Sequence, residues 1–189
     1  MSTNPILELI ASRRSARKLD PERMPPKEVV QKIIEAGTWA PNHHMTEPWR
    51  FVVIAGEERK KLGEVLVQAL GGSSPQDEKK VEAERTKPLR APVIIALVSS
   101  PKREPNIVPQ EEVVAAGSAL QNMLLAIQSL GLGSMIKTGK TSYSQEVRDY
   151  LKLSEGENLV AMIYVGYNVE EPPHGRRSAH SLKTEWRGM

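Results

Sequence analysis

The sequence predicts an α+β fold, a mixed sheet with helices packed on it. Apolar runs of strand length alternate with longer stretches whose apolar residues recur at helical spacing. One of those runs, Ala91 to Val98, is apolar throughout, as a central strand covered on both faces requires. There is no internal repeat and no linker, so residues 1–189 read as one domain.

The elements follow in order. Pro5 to Ser12 is a short helix with Ile6, Leu9 and Ile10 at helical spacing. It runs into the basic cluster Arg13, Arg14, Arg17 and Lys18. Pro25 and Pro26 open a second helix with Glu28 in its first turn and a stripe of Val29, Val30, Ile33, Ile34 and Gly37. Pro41 disfavours helical geometry at Ala40 and ends it. Trp49 to Ile54 is a strand. Glu57 to Leu70 is a helix with Leu62, Val65, Leu66 and Leu70 inward. Gly71 to Asp77 is a polar loop, and Glu78 to Lys87 a solvent-exposed charged helix. After the loop Pro101 to Pro109 comes the longest helix, Gln110 to Leu130, whose Ala115 to Ala119 segment is small enough for close helix packing. Gly133 to Lys137 is a short strand. Ser142-Tyr143-Ser144-Gln145 reads as a capping box before a helix Gln145 to Leu151. Asn158 to Gly166 is the last strand, and Tyr167 to Met189 an extended tail.

Composition narrows the function. The chain has no cysteine, which excludes a disulfide framework, a thiolate nucleophile and Cys-held metal. The 26 Lys and Arg against 23 Asp and Glu leave a formal net charge of +3, which permits an anionic ligand without demanding nucleic acid. Met1 to Ile10 lacks the pattern of a signal peptide, and Val113 to Leu132 is interrupted by Gln121, Asn122 and Gln128, so a cytoplasmic protein without a membrane span is expected.

Several motifs nearly match known chemistry. Gly133 to Thr141 ends in Gly-Lys-Thr like a phosphate-binding P-loop, but five residues rather than four separate Gly133 from Gly139. Gly131-Leu132-Gly133 lacks the third glycine of a dinucleotide fingerprint. His43 and His44 are adjacent and the other histidines distant, so no metal site is expected. The segment Arg13-Arg14-Ser15-Ala16-Arg17 has two readings: cations at a helix C-terminus, or a bidentate anion clamp.

Taken together, Arg-Arg-Ser-x-Arg at 13–17, Ala40-Pro41 followed by Pro48-Trp49-x-Phe51, Gly131-Leu132-Gly133-Ser134, and the basic pair Arg176-Arg177 resemble the nitroreductase family of FMN-dependent oxidoreductases, in particular its small single-domain bacterial members. The resemblance spans essentially the whole chain. It implies an intertwined homodimer with a central mixed or antiparallel sheet flanked by helices and FMN at the interface. It implies that Arg13, Arg14, Ser15 and Arg17 hold the FMN phosphate and ribityl chain, with Arg176 or Arg177 as a second phosphate contact. Trp39 and His43 match positions from which the partner chain reaches the flavin, and Pro41 fixes that turn. Asn42, at a position that varies in the family, is counted with them. Ile136, Lys137, Thr138 and Gly139 match the segment beside the flavin ring.

Plainer roles stand beside these. Trp49 and Phe51 are expected as core anchors. Trp39 is alternatively core at a helix end, His43 a loop hydrogen-bonder, Lys137 a strand-end charge, and His44 is expected exposed. Glu47 stands where many members carry glutamine. The function implied is transfer of hydride from NADH or NADPH through flavin N5 to a small-molecule acceptor such as a nitroaromatic or quinone, by ping-pong kinetics. No protein side chain is expected as catalyst, because the chemistry lies on FMN. The alternatives are an FMN carrier or sensor without fast turnover, and a nucleic-acid-binding module. The modest charge and few aromatics count against the last.

Overall fold

The computed structural model describes residues 4–71, 77–175 and 177–188. Four strands form one sheet: β1 (Trp49–Ala55), β2 (Val93–Ser99), β3 (Gly133–Lys137) and β4 (Asn158–Gly166). Their order is β1-β2-β4-β3, and every pairing is antiparallel. The continuous apolar run of β2 is explained by its place: all seven residues are buried.

Alternation along the strands sorts the core into two halves. Ile94 and Ala96 of β2 and Met162 and Tyr164 of β4 face Leu62 and Leu66 of α3 (Glu58–Gln68) and Val147 of α6 (Gln145–Tyr150). Val93, Ile95, Ile163 and Val165 face Val30 and Ile33 of α2 (Lys27–Thr38) and Met123 and Ile127 of α5 (Pro109–Ser129). Helices therefore cover both faces. α2 lies so close to α5 that a β-carbon on Gly37 would stand 2.9 Å from Met123 Cγ.

Two helices add little to this core. α1 (Pro5–Ser12) is capped by Asn4, whose Oδ1 accepts from the N–H of Ile6 at 2.9 Å, yet none of its residues is buried. Its Ile6, Leu7 and Ile10 are 65%, 64% and 48% exposed. α4 (Glu78–Thr86) also buries none of its residues, as its charge pattern predicts. It meets α3 at Gly63, where a β-carbon would stand 2.2 Å from the carbonyl oxygen of Arg85.

Some local expectations are corrected. The cap of α6 is Ser144, whose hydroxyl accepts from the N–H of Val147 at 3.3 Å; Ser142 is buried in a preceding 3-10 turn, Lys140–Tyr143. α3 stops at Gln68, two residues short of Leu70. Trp49 and Phe51 are partly rather than fully buried, because β1 is an edge strand. The loop from Gly71 to Asp77 lies mostly outside the described residues. No helix among the described residues is long and apolar enough to cross a membrane.

Candidate functional site

The basic cluster begins where α1 ends. The N–H of Arg13 caps the helix on the carbonyl of Leu9 at 3.1 Å, and the Arg14 side chain donates from Nη1 to the carbonyls of Ala11 at 2.7 Å and Arg13 at 2.8 Å. The segment then runs along β3 and the end of β4. The N–H of Ala16 donates to the carbonyl of Ser134 at 2.8 Å, the N–H of Asp20 to Tyr167 at 2.9 Å, and the N–H of Val169 to Lys18 at 3.1 Å. Ala16 and Leu19 are buried, which anchors an arm whose Ser15 and Arg17 stay exposed.

A cavity of about 260 Å³ is lined by Arg13, Arg14, Ser12, Ser134 and Asn168 among others. The Arg13 guanidinium is pushed below its ordinary value by burial, then by the positive charges of Arg177 and Arg14. Like charges gathered beside a polar cavity fit a dianion, whose charge would relieve the repulsion. Gly133 gives the arm room here, since a β-carbon would fall 2.9 Å from Leu19 Cδ2 of the arm and 2.1 Å from Asn168 Oδ1. Arg176 lies outside the described residues.

A second cavity, of about 420 Å³, is lined by Arg17, Lys18, Arg90 and Lys137 over Leu19, Leu89 and Met135. Burial, followed by the charges of Arg90 and Lys87, lowers Lys137 from its ordinary value. Among the described residues no carboxylate forms an ion pair with any of the four cations. Nearby Lys87 differs, being held by Glu84 at 3.0 Å. The apolar floor with cations at its rim suits a flat ring bearing oxygens. Ile136, near the end of β3, and Thr138 and Gly139 just beyond it are exposed. Gly139 has φ 128°, a conformation that favours glycine, and a β-carbon there would meet nothing within 4 Å. Its backbone is open to a flat group lying against it.

Arg90 was not picked out from the sequence. Its only local signal is a basic residue just before a strand, and its place beside Lys137 in the cavity is a long-range contact from the turn Lys87–Arg90.

The turn after α2 lies elsewhere. Trp39 is 80% exposed, so it is not core at a helix end. Pro41, Asn42 and His43 line a third cavity, of about 660 Å³, with Val108, Gln110, Glu111, Val114, Ala115 and Ser118. His43 Nδ1 lies 2.8 Å from Glu111 Oε2. Asn42 spends its side chain on the loop: Oδ1 accepts from the N–H of Glu47 at 3.0 Å and Nδ2 donates to Ala40 at 3.3 Å. His44 is exposed.

Helix α5 measures how far apart these groups stand. His43 meets Glu111 near its start, whereas Ser12, beside the arm, accepts from Gln128 Nε2 near its end at 2.8 Å. At a rise of 1.5 Å per residue, Glu111 and Gln128 are about 25 Å apart. Within one chain, Arg17 and Lys137 come together, and Arg13 comes near Arg177, but Trp39 to His43 do not join either group.

Comparison with known proteins bears on these sites. A model of the nitroreductase family matches residues 10–167. The chain is 35% identical over 161 residues to YdjA of Escherichia coli, assigned as an NAD(P)H nitroreductase, covering 85% of this chain and 86% of that one. A nitroreductase-like family protein from Bacillus cereus superposes with a TM-score of 0.87 at 25% identity, over 100% of this chain and 99% of the other. A nitroreductase-assigned protein of Desulfovibrio desulfuricans, solved in complex with FMN, superposes with a TM-score of 0.74 at 28% identity, over 98% and 99%.

Proposed function

The chain belongs to the nitroreductase family, and from that premise we propose that it is an FMN-dependent oxidoreductase that takes hydride from NADH or NADPH and delivers it to a small organic acceptor by ping-pong kinetics. The observation that carries the reading is the pair of basic cavities on one arm, joined to an open backbone at Gly139.

Arg13, Arg14 and Ser15 hold the phosphate and ribityl chain, with Arg177 reaching the same anion from the tail. Arg17, Lys18, Arg90 and Lys137 surround the oxygen-bearing edge of the ring, and Leu19 and Met135 pack beneath it. Ile136 to Gly139 lie along it, where a backbone N–H can meet N5. FMN, when bound, supplies the acceptance and return of hydride. A cation at Lys137 favours the negatively charged reduced ring.

The assembly is a homodimer that shares its flavins. Trp39, Pro41, Asn42 and His43 sit about 25 Å along α5 from the arm, too far to share one chain's flavin with it. A second copy brings them to it, and the exposed Trp39 and α1 supply apolar surface for the contact. Residues 1–189 are read as one domain.

The test is the visible spectrum of purified protein before and after anaerobic NADPH or NADH. A yellow protein bleached by either nucleotide is the expected result. A colourless protein that gains no stability from FMN overturns the proposal, and a yellow one that neither nucleotide bleaches is a carrier or sensor instead.

A further inference from the structure

Four non-glycine residues among those described have left-handed backbone, and three lie within four residues after His43: His44 at φ 56°, Met45 at φ 52° and Glu47 at φ 46°. Left-handed backbone is costly for residues other than glycine, so the turn persists only because its surroundings impose it. Thr46 Oγ1 donates to Glu112 Oε1 at 2.6 Å, and the other oxygen of Glu112, a buried residue of α5, accepts from the N–H of Lys102 at 3.1 Å. The bonds of Asn42 to Ala40 and Glu47 close the other side. This strained turn holds the His43 ring against Glu111, on the wall of the roomiest of the three cavities.

We propose that His43 is the proton donor for acceptor reduction in this cavity and that Glu111 is its positioning residue. The inference rests on the flavin reading above. The lining that this chain contributes is the apolar surface of Pro41, Val108, Val114 and Ala115 with the carboxylate of Glu111 and neither lysine nor arginine, which favours an uncharged planar acceptor; the hydride reaches it from the flavin that the second copy holds against it. A quinone typifies the class. The donor is the imidazolium form, in which Glu111 accepts from Nδ1–H and the Nε2 proton is the one transferred. Conversion of a quinone to its hydroquinone takes up one hydride and one proton. NAD(P)H provides the hydride by way of the flavin. The Nε2–H bond breaks as an O–H bond forms on the substrate oxygen, and the neutral imidazole regains its proton from solvent. The other titratable group against the ring is His44, with its ring centroid 3.9 Å away on the same turn; Glu112, next to Glu111 on α5, is engaged by Thr46 and Lys102.

The experiment compares re-oxidation of pre-reduced, FMN-loaded protein by menadione and by ferricyanide, which takes electrons without a proton. In His43→Gln the menadione-to-ferricyanide rate ratio falls about tenfold or more, and added imidazole restores part of it. Glu111→Gln lowers the same ratio less, and Glu111→Asp recovers it. A wild-type ratio in His43→Gln, or a loss that imidazole leaves untouched, overturns the proposal. Nitrogen-15 NMR tests the pair without any flavin. A hydrogen-bonded Nδ1–H resonance of His43 is expected, absent in His43→Gln and displaced in Glu111→Gln. Its absence in the wild type overturns the pairing, while a colourless wild type overturns the flavin reading instead.

Discussion

Arg13, at the head of the arm, and Arg177, in the tail, bring two positive charges from distant parts of the chain close enough to repel, and burial adds to the cost of charging Arg13. An anion entering between them would relieve that repulsion. Replacing either residue, as Arg13→Gln or Arg177→Gln, is therefore expected to weaken FMN binding by about tenfold or more, given ~1.5–3 kcal/mol for a hydrogen bond to a charged group. Riboflavin, which lacks the phosphate, is expected to bind both variants as it binds the parent. Titration with the two flavins, followed by fluorescence quenching, measures the difference. An equal loss for both would remove the phosphate role.

Lys137 sits in the second cavity with its charge disfavoured by burial, Arg90 and Lys87. A reduced flavin is more negative than an oxidised one, so a cation at its edge stabilises the reduced form preferentially. Lys137→Met is expected to lower the two-electron midpoint potential of bound FMN by about 30 mV or more, since 30 mV corresponds to ~1.4 kcal/mol. Lys137→Arg is expected to keep the potential near that of the parent. A redox titration against indicator dyes reads both. A potential unmoved by the methionine would return Lys137 to the role of a strand-end charge.

What the sequence disclosed, and what it did not, divides along sequence distance. β4 begins and ends where its apolar run does, because a strand with covered faces leaves an uninterrupted local record; β3, an edge strand reading Gly-Ser-Met-Ile-Lys, is legible from Gly133 and Lys137 at its ends instead. The arginines of the arm were legible as a cluster for the same reason. The cap of α6 was misread because Ser142 and Ser144 offer the same hydroxyl two residues apart, and only the 3-10 turn at Lys140–Tyr143 decides between them. Arg90 and the His43–Glu111 pair left no local trace. The latter two residues are separated by 68 positions, and the packing of the turn on α5 is what joins them. Nor does a single sequence separate a tryptophan that fills its own core from one that is exposed, as Trp39 is.

Helix α1 presents Ile6, Leu7 and Ile10 outward, and its tie to α5 runs through the amide of Gln128 rather than through its own apolar face. Burying a side chain of this kind contributes about 1.5–3 kcal/mol. If α1 docks on a second copy, the double variant Ile6→Glu, Leu7→Glu is expected to sediment as a folded monomer and to lose most of its flavin, because Trp39 and His43 of a second copy no longer reach the site. Far-ultraviolet circular dichroism checks that the fold survives. A variant that stays dimeric and yellow would exclude α1 from the interface.

The edge strand β1 depends on a pair that acid should break. The Arg50 guanidinium grips Glu157 through two bonds, Nε to Oε1 at 3.0 Å and Nη2 to Oε2 at 2.9 Å, and the N–H of Ser154 donates to Oε2 at 2.8 Å. The Arg50 hydrogen bond is the largest cause that holds the Glu157 carboxyl down at about 2 from an ordinary 4.5, against burial that pushes it up. A carboxyl whose pKa is lower in the folded state adds stability above its unfolded value, and that contribution fades as pH falls from about 4.5 to about 2. With Arg50 partly exposed, solvent screening reduces the contribution to about 2 kcal/mol. Arg50→Gln is thus expected to lose about that much at pH 7, by urea unfolding, and the gap from the parent is expected to narrow toward pH 3. A gap of constant size would mean that Arg50 stabilises the edge through its packing and its bonds to the carbonyls of Leu151 and Lys152, and not through the charge of Glu157.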